Sequence, residues 1–113
     1  MQKDRTILVV GGSGFIGRSL VNALSKNGYR AIYHSDIKPP KGDLVLDTTF
    51  VPCDITDENS VKQLFNDVRP NVVCNLAGFA NLDAAIEDPK RTMELNIIGN
   101  ISLLDASVKF GVE

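Results

Sequence analysis

The sequence predicts an α/β protein with a partial, doubly wound parallel sheet, and three observations support this fold class. Short apolar runs alternate with segments in which apolar residues recur at helical spacing, which is typical of parallel sheets covered by helices on both faces. A glycine-rich turn joins the first predicted strand to the first predicted helix. No internal repeat or low-complexity segment interrupts the alternation. Right-handed crossovers and the position of the glycine turn predict the strand order 3-2-1-4.

The first strand, turn and helix carry the clearest functional signal. Residues 7–10 are short, β-branched and apolar, which predicts a buried strand, and residues 15–26 have helical spacing. Between them the glycines fit both G-x-G-x-x-G and G-x-x-G-x-x-G spacing, and no Lys-Ser or Lys-Thr pair follows as a Walker-type loop requires. Glycines let a diphosphate approach the backbone, and the amide groups of the helix's first turn point at the anion. The pattern therefore predicts a dinucleotide cradle, with a plain structural turn as the alternative.

A second predicted strand, at residues 30–35, ends at Asp36, about 20 positions after Gly17. An acidic residue at this spacing accepts hydrogen bonds from the adenosine ribose and repels a 2′-phosphate. Asp36 therefore favours NAD over NADP. The alternatives are a solvated loop carboxylate and, because Lys38 lies nearby, a preference for NADP.

The rest of the chain continues the alternation. The further predicted elements are a strand at 49–53, a helix to residue 68 capped by Thr56 or Asp57, a strand at 72–76 and a helix at 89–110. Pro52 predicts an edge position for the third strand because proline cannot donate to the ladder. Residues 44–46 fit a further short strand, and the segment after Gly78 is predicted to be a polar, alanine-rich loop.

The helix at 89–110 begins with a capping carboxylate, Asp88, and a proline at its first position, and Gly111 is its predicted terminator. Its apolar residues cover more than one face, so the helix must be buried on two sides or face a partner. These residues are Met93, Leu95, Ile97, Ile98, Ile101, Leu104 and Val108.

Composition restricts the class of protein. The 113 residues suit one domain, 43% of them are hydrophobic, and the formal net charge is −2 with scattered basic residues. We therefore expect no nucleic-acid partner and no anionic-membrane partner. No apolar run suits a signal peptide or a membrane span, so we expect a cytoplasmic protein. Cys53 and Cys74 lack metal-ligand spacing and are expected to be buried free thiols that do not pair.

Five motifs fall in order along the chain: the glycine turn, Asp36, Asp54-Ile55, the segment 75–78 (Asn-Leu-Ala-Gly), and Asp88-Pro89 followed by Asn-Ile-Ile-Gly at 96–99. Together they resemble the amino-terminal part of an extended short-chain dehydrogenase/reductase of the NAD-dependent epimerase/dehydratase family, which acts on nucleotide sugars. The resemblance implies a Rossmann-type fold and a set of cofactor-binding roles. The diphosphate is assigned to Gly11, Gly14 and Gly17 with Phe15 and Ile16 beside it, the ribose to Asp36, the adenine to Asp54 and Ile55, and the nicotinamide side to Leu76, Ala77, Gly78 and Asn96.

The chain departs from the family pattern at three positions. Asn75 stands where the extended group usually has histidine, Asn100 where threonine often follows the glycine, and Ala80 where some epimerases place a lysine. These departures weaken any assignment of a particular substrate and leave the dinucleotide site intact.

The family's catalytic tyrosine, four residues before a lysine, has no counterpart in these 113 residues. The sequence contains only Tyr29 and Tyr33, and neither has lysine four positions later. His34 is interpreted as a surface residue at a strand end. We therefore name no catalytic residue and no metal site, and we expect this chain alone to be inactive.

The first hypothesis is thus the NAD-binding part of a nucleotide-sugar epimerase, dehydratase or reductase that self-associates through the helix at 89–110. Two alternatives remain. One is a non-catalytic dinucleotide-binding module that senses redox state or offers an interaction surface. The other is an atypical NADP-dependent reductase of the same superfamily with a non-sugar substrate.

Overall fold

The computed structural model describes residues 2–42, 45, 47–78 and 82–113, with the side chains of residues 82, 84 and 85 left aside. Within these residues, four parallel strands form one sheet in the order β3-β2-β1-β4. The strands are β1 Thr6–Val10, β2 Ala31–Asp36, β3 Thr48–Pro52 and β4 Val72–Asn75. The predicted strand order is confirmed, and Pro52 lies on an edge strand as expected.

The helices cover both faces of this sheet. Helix α1 is Phe15–Lys26 and helix α2 is Glu58–Val68, each close to its predicted bounds. The Asp57 carboxylate caps α2 by accepting hydrogen bonds from the backbone amides of Asn59 and Ser60 at 3.0 and 3.4 Å. The sequence predicts Thr56 or Asp57 as this cap, and the structure shows that it is Asp57.

A short helix, α3 (Leu82–Glu87), lies where a loop was predicted. That prediction was wrong because the six residues, Leu-Asp-Ala-Ala-Ile-Glu, are mostly strong helix formers. The expectations for Leu44 and Leu46 in a short strand, and for Ala80, lie outside the described residues.

The predicted helix at 89–110 is present as one continuous stretch with an irregular centre. It consists of α4 (Pro89–Met93), a π-helical turn (Glu94–Ile98) and α5 (Gly99–Lys109). Within the π turn, the amide of Gly99 donates to the carbonyl of Glu94, five residues earlier. Apolar spacing does not distinguish such a turn from α-helix, so the sequence did not predict it.

The core has two layers, one on each face of the sheet. The larger layer lies under α2 and α5 and contains Leu8, Val10, Cys53, Ile55, Val61, Leu64, Phe65, Val68, Leu95, Leu103 and Ala106. The smaller layer lies under α1 and contains Ile7, Val9, Val21 and Ile32. The two cysteines are free, as predicted: Cys53 is buried and Cys74 is half-buried.

His34 is buried in the interior strand β2, so its interpretation as a surface residue was wrong. Its side chain is 2% exposed because β2 lies between β1 and β3, and the glycine turn covers this part of the sheet. A Cβ atom at Gly12 would lie only 2.6 Å from the Cβ of His34. The turn therefore packs directly on the histidine.

Two apolar regions stay uncovered. In the described sheet β4 has a neighbour on one side only, and its Val72, Val73 and Cys74 are half-buried. The last helix exposes Met93, Ile97, Ile98, Ile101, Leu104 and Val108. None of the helices in the described part of the chain has the length and apolar character needed to cross a membrane.

Candidate dinucleotide site

The glycine turn is held at the end of β1 by backbone hydrogen bonds and close packing. The amides of Gly11 and Gly12 both donate to the carbonyl of Ser35, at 2.8 and 3.0 Å. Gly11 has φ +80°, and a Cβ there would lie 2.6 Å from the backbone of Leu76. A Cβ at Gly17 would lie 2.2 Å from the carbonyl oxygen of Gly11. Packing within the protein therefore requires glycine at positions 11 and 17.

Gly14 differs, because no atom of the described residues requires glycine there. Its backbone is extended (φ −75°, ψ 174°), a conformation open to any residue, and it precedes α1 as the N-cap. The nearest atom to a Cβ would be the carbonyl oxygen of Gly11 at 3.6 Å, an ordinary contact. The missing side chain leaves space over the first turn of α1, where backbone amides and the helix dipole favour an anion.

The Asp36 carboxylate is fixed beside the same turn. It accepts hydrogen bonds from the backbone amides of Ser13 at 3.2 Å and Ile37 at 2.8 Å. The Ser13 hydroxyl donates to the carbonyl of Lys38 at 2.7 Å, which joins the turn to the segment after β2. The carboxylate is thereby held at the turn, where a ribose would follow a bound diphosphate.

A cavity of about 170 Å³ lies along the carboxyl ends of the strands. Of the residues predicted to bind the cofactor, it gathers Gly11, Gly14, Asp36, Ile55, Leu76, Ala77 and Gly78. Sequence reasoning missed four further lining residues, Val10, Ile37, Cys53 and Leu95. Each of these four residues is adjacent in sequence to a predicted site residue, which was a usable signal.

Five predicted residues do not line this cavity. Asn96 packs against Gly78, and the other four lie around the cavity: Phe15, Ile16, Gly17 and Asp54. Gly17 sits beneath the turn, while Phe15 and Ile16 are 88% and 66% exposed at the start of α1. Phe15 instead lines a larger cavity of about 580 Å³ on the outer side of the turn. That cavity contains none of the other predicted residues, most of which converge on the smaller cavity.

The Asp54 carboxylate makes local hydrogen bonds and does not line the cavity. One carboxylate oxygen accepts hydrogen bonds from the amide and hydroxyl of Thr56, and the other lies 3.5 Å from an Arg91 nitrogen. Partial burial acts to raise the pKa of the Asp54 carboxyl, but the Thr56 hydrogen bonds and the Arg91 charge together lower it. Arg91 also donates to the Thr56 hydroxyl at 2.9 Å, which joins α4 to the loop after β3.

Ile55 and Gly78 show how closely the last helix approaches the cavity. Ile55 is 4% exposed, and a Cβ at Gly99 would lie 2.6 Å from its Cδ1 atom. Gly78 has φ +137°, and a Cβ there would lie 2.5 Å from Oδ1 of Asn96. The helix therefore forms the support of the cavity on the β4 side.

The cavity offers a binding surface rather than a reactive group. Burial raises the pKa of the Cys53 thiol, which keeps the lining sulfur protonated and weakly nucleophilic. Among the described residues, no group of three or more histidine, cysteine or acidic side chains is placed to hold a metal ion.

A parallel sheet in this order, with a glycine turn and an acidic residue at the ends of β1 and β2, defines a Rossmann-type dinucleotide-binding domain. The model of the NAD-dependent epimerase/dehydratase family matches residues 7–113, and the chain belongs to that family.

Its relatives include enzymes of both named types. The chain is 30% identical over 112 residues to a dTDP-glucose 4,6-dehydratase of Salmonella typhimurium, covering 92% of this chain and 31% of that enzyme. It also superposes on the Thermus thermophilus UDP-glucose 4-epimerase complex with NAD, with TM-score 0.86 and 32% identity over 96% of this chain. The Thermotoga maritima UDP-glucose 4-epimerase with UDP-glucose gives TM-score 0.84 and 36% identity over 95% of this chain. The chain spans about a third of each relative's length, namely 31% and, for both structures, 35%.

Proposed function

We propose that this chain is the NAD-binding part of a nucleotide-sugar epimerase or dehydratase. The observation that carries the proposal is the open space at Gly14, over a helix start with no side-chain cap and beside the fixed Asp36 carboxylate. Family membership and the NAD complex of a relative support the same cofactor. In such enzymes NAD accepts hydride from a sugar carbon, and this chain would hold and orient the dinucleotide.

Each part of the dinucleotide has a place in this proposal. Gly11, Gly14 and Gly17 would cradle the diphosphate, and Asp36 would accept hydrogen bonds from the adenosine ribose. Residues 76–78, which form one wall of the cavity, would lie on the nicotinamide side of the dinucleotide. The remaining proposed contacts are Phe15 and Ile16 beside the diphosphate, Asp54 and Ile55 beside the adenine, and Asn96 behind the nicotinamide wall.

Asp36 provides the first test. Asp36→Ala removes a charged hydrogen-bond partner of the ribose and should weaken NAD binding by about 1–3 kcal/mol. Because the carboxylate also repels a 2′-phosphate, the difference between the affinities for NAD and NADP should be smaller in the variant than in wild type. Calorimetric titration of both cofactors into wild type and Asp36→Ala measures both effects.

The matched control for this titration is Asp67→Ala. Asp67 is an exposed aspartate near the end of α2 and accepts a hydrogen bond from Gln63. We expect this variant to bind NAD as wild type does. Equal affinity of wild type for NAD and NADP would overturn the proposed preference.

We further infer that the chain self-associates through the apolar face of its last helix. Ile97, Ile101 and Leu104 are 46%, 60% and 68% exposed on this face. Contiguous apolar surface of this kind marks an interaction site. Light scattering should show an oligomer or aggregate for wild type and a smaller species for Leu104→Lys. Ile86→Lys, at an exposed apolar residue of α3, is the control; a monomeric wild type would contradict the inference.

A non-catalytic binding module is the second candidate for this chain by itself. The lining of the cavity includes no tyrosine and no lysine among the described residues. Tyr33 packs against the larger core layer and Tyr29 against the smaller one, so neither is available as an acid or base at the cavity. We therefore expect NAD binding without turnover from residues 1–113 alone, and measurable epimerase, dehydratase or reductase activity would contradict this.

A further inference from the structure

The end of β4 is fastened to the last helix by a chain of asparagine side chains. Asn75 Nδ2 donates to Asn100 Oδ1 at 2.5 Å, and Asn100 Nδ2 donates to the carbonyl oxygen of Asn96 at 2.5 Å. At the other end, Asn75 Oδ1 accepts a hydrogen bond from the backbone amide of Ala77 at 3.1 Å. A strand end and a helix are thus joined through two side-chain amides.

The direction of these hydrogen bonds is fixed by their two ends. The amide of Ala77 can only donate and the carbonyl of Asn96 can only accept. Each side-chain amide must therefore keep its oxygen towards Ala77 and its NH₂ group towards Asn96. The link between Asn75 and Asn100 depends on both side chains, because Asn75 supplies the donor of the shared hydrogen bond and Asn100 supplies its acceptor.

This link holds one wall of the proposed cofactor cavity. Leu76, Ala77 and Gly78 follow Asn75 directly and line the cavity together with Gly11. The far end of the wall packs on the same helix, because Gly78 leaves room only for the Asn96 side chain. The wall is therefore attached to the helix at both ends.

We propose that Asn75 and Asn100 are a pair of positioning residues that fix the wall at 76–78 and so strengthen binding of the nicotinamide half of the dinucleotide. The proposal rests on the proposed NAD-binding function. Both residues are positions at which this chain departs from the pattern its sequence resembles, and the structure brings the two departures into direct contact. The pair thus forms a single device of two residues.

An alanine cycle tests the pair. Asn75→Ala and Asn100→Ala each break the link and should weaken NAD binding about 3- to 10-fold, the range for one hydrogen-bonded contact. The double variant should lose no more than the larger single loss, because one link is broken in all three. ADP lacks the nicotinamide half, so its affinity should stay as in wild type, whereas a general structural defect would weaken both ligands. Asn59→Ala, at an exposed position of α2, is the control.

Aspartate variants provide a second test of the proposed pair if the alanine variants do not fold. In Asn100→Asp, Asn75 Nδ2 can still donate to the new carboxylate, so this variant should keep more NAD affinity than the alanine variants. In Asn75→Asp, the carboxylate faces Asn100 Oδ1, which cannot turn away without facing the carbonyl of Asn96, so this variant should lose NAD affinity as the alanine variants do. The double Asp variant places two carboxylates together and should lose it. Additive alanine losses, equal losses for NAD and ADP, or a double Asp variant that binds like wild type would overturn the pair alone. Wild type that binds neither nucleotide would overturn both the pair and the proposed function.

Discussion

Helices α1 and α2 both follow a strand of the same sheet, yet they begin in opposite ways. Helix α2 has Asp57 as a side-chain cap and Glu58 in its first turn, so its free amides are satisfied from within the chain. Helix α1 has Gly14 as its N-cap, no side-chain cap hydrogen bond and no acidic residue in its first turn. The first turn of α2 is complete in itself, whereas that of α1 has room for an anion from outside.

The two helices also differ in how far their apolar residues are buried. The four apolar residues of α2 are all buried: Val61, Leu64, Phe65 and Val68. In α1, Val21 is buried while Phe15 and Ile16, in the first turn, are exposed. Burial therefore accounts for the apolar stripe of α2 but not for the first turn of α1, which suits contact with a ligand.

The largest effect on stability should come from Gly17. Gly17→Ala favours helix by intrinsic propensity, but its methyl group would lie 2.2 Å from the carbonyl oxygen of Gly11. The backbone must shift, so we expect a loss of about 1–3 kcal/mol in the free energy of unfolding, as for overpacked cores, together with loss of NAD binding. Denaturant titration and calorimetry measure the two losses.

The control for this variant is Ser19→Ala on the same helix, where the hydroxyl makes a local bond to the carbonyl of Phe15. Its stability should remain within about 0.5 kcal/mol of wild type, as for most surface changes. If Gly17→Ala were as stable as wild type and bound NAD equally well, the close packing of turn and helix would be wrong.

The groups buried beneath the two helices also differ, and this difference predicts a smaller, pH-dependent effect on stability. The layer under α2 is apolar, whereas His34 lies beneath the turn that begins α1. The Thr48 hydroxyl donates to the carbonyl of Val45 at 2.6 Å, so it accepts from His34 Nε2 at 3.3 Å and fixes the neutral tautomer. Nδ1 is then a buried acceptor without a hydrogen-bond partner among the described residues.

Burial lowers the pKa of His34 below its ordinary value of 6.5. Below pH 6.5 the unfolded chain therefore binds a proton that the folded chain does not, and stability is lost as the pH falls towards the folded pKa. His34 is the only histidine, so His34→Val should remove this dependence between pH 7.5 and 5.5. Denaturant midpoints of wild type and His34→Val, measured across that pH interval, test this prediction. If the midpoints of both proteins changed equally with pH, His34 would not be the source of the dependence.

The parts of the fold that sequence predicted well are those set by short-range patterns. The glycine spacing, the position of Asp36 and the alternation of apolar runs determined β1, α1, β2 and the strand order. For the cap of α2, the sequence left two adjacent candidates, Thr56 and Asp57, and the structure shows that Asp57 is the cap. These features depend on local backbone chemistry, which the residue types state directly.

The features that sequence missed depend on tertiary context. His34 looked like a strand-end surface residue because nothing in its neighbours revealed that the glycine turn would cover it. The π turn within the last helix has the same apolar spacing as an α-helix. The contact between Asn75 and Asn100 joins residues 25 positions apart, and only the docking of helix on strand brings them together.

The diphosphate of NAD is proposed to lie over the start of α1, and Gly14→Ser tests this site most directly. Serine suits the extended backbone at this N-cap and can cap α1 itself, so the free energy of unfolding should stay level or rise by up to about 1 kcal/mol. The side chain would occupy the diphosphate's space, so NAD affinity should fall at least about tenfold, an order-of-magnitude expectation for a steric block. Asp57→Ala is the mirror control, expected to cost about 1 kcal/mol of stability and to leave NAD affinity unchanged. Thermal unfolding with and without NAD reads both quantities, since a ligand that binds the folded state raises the midpoint. We expect a NAD-induced rise for wild type and Asp57→Ala and a clearly smaller rise for Gly14→Ser, whereas an equal rise in all three would contradict a diphosphate site at the start of α1.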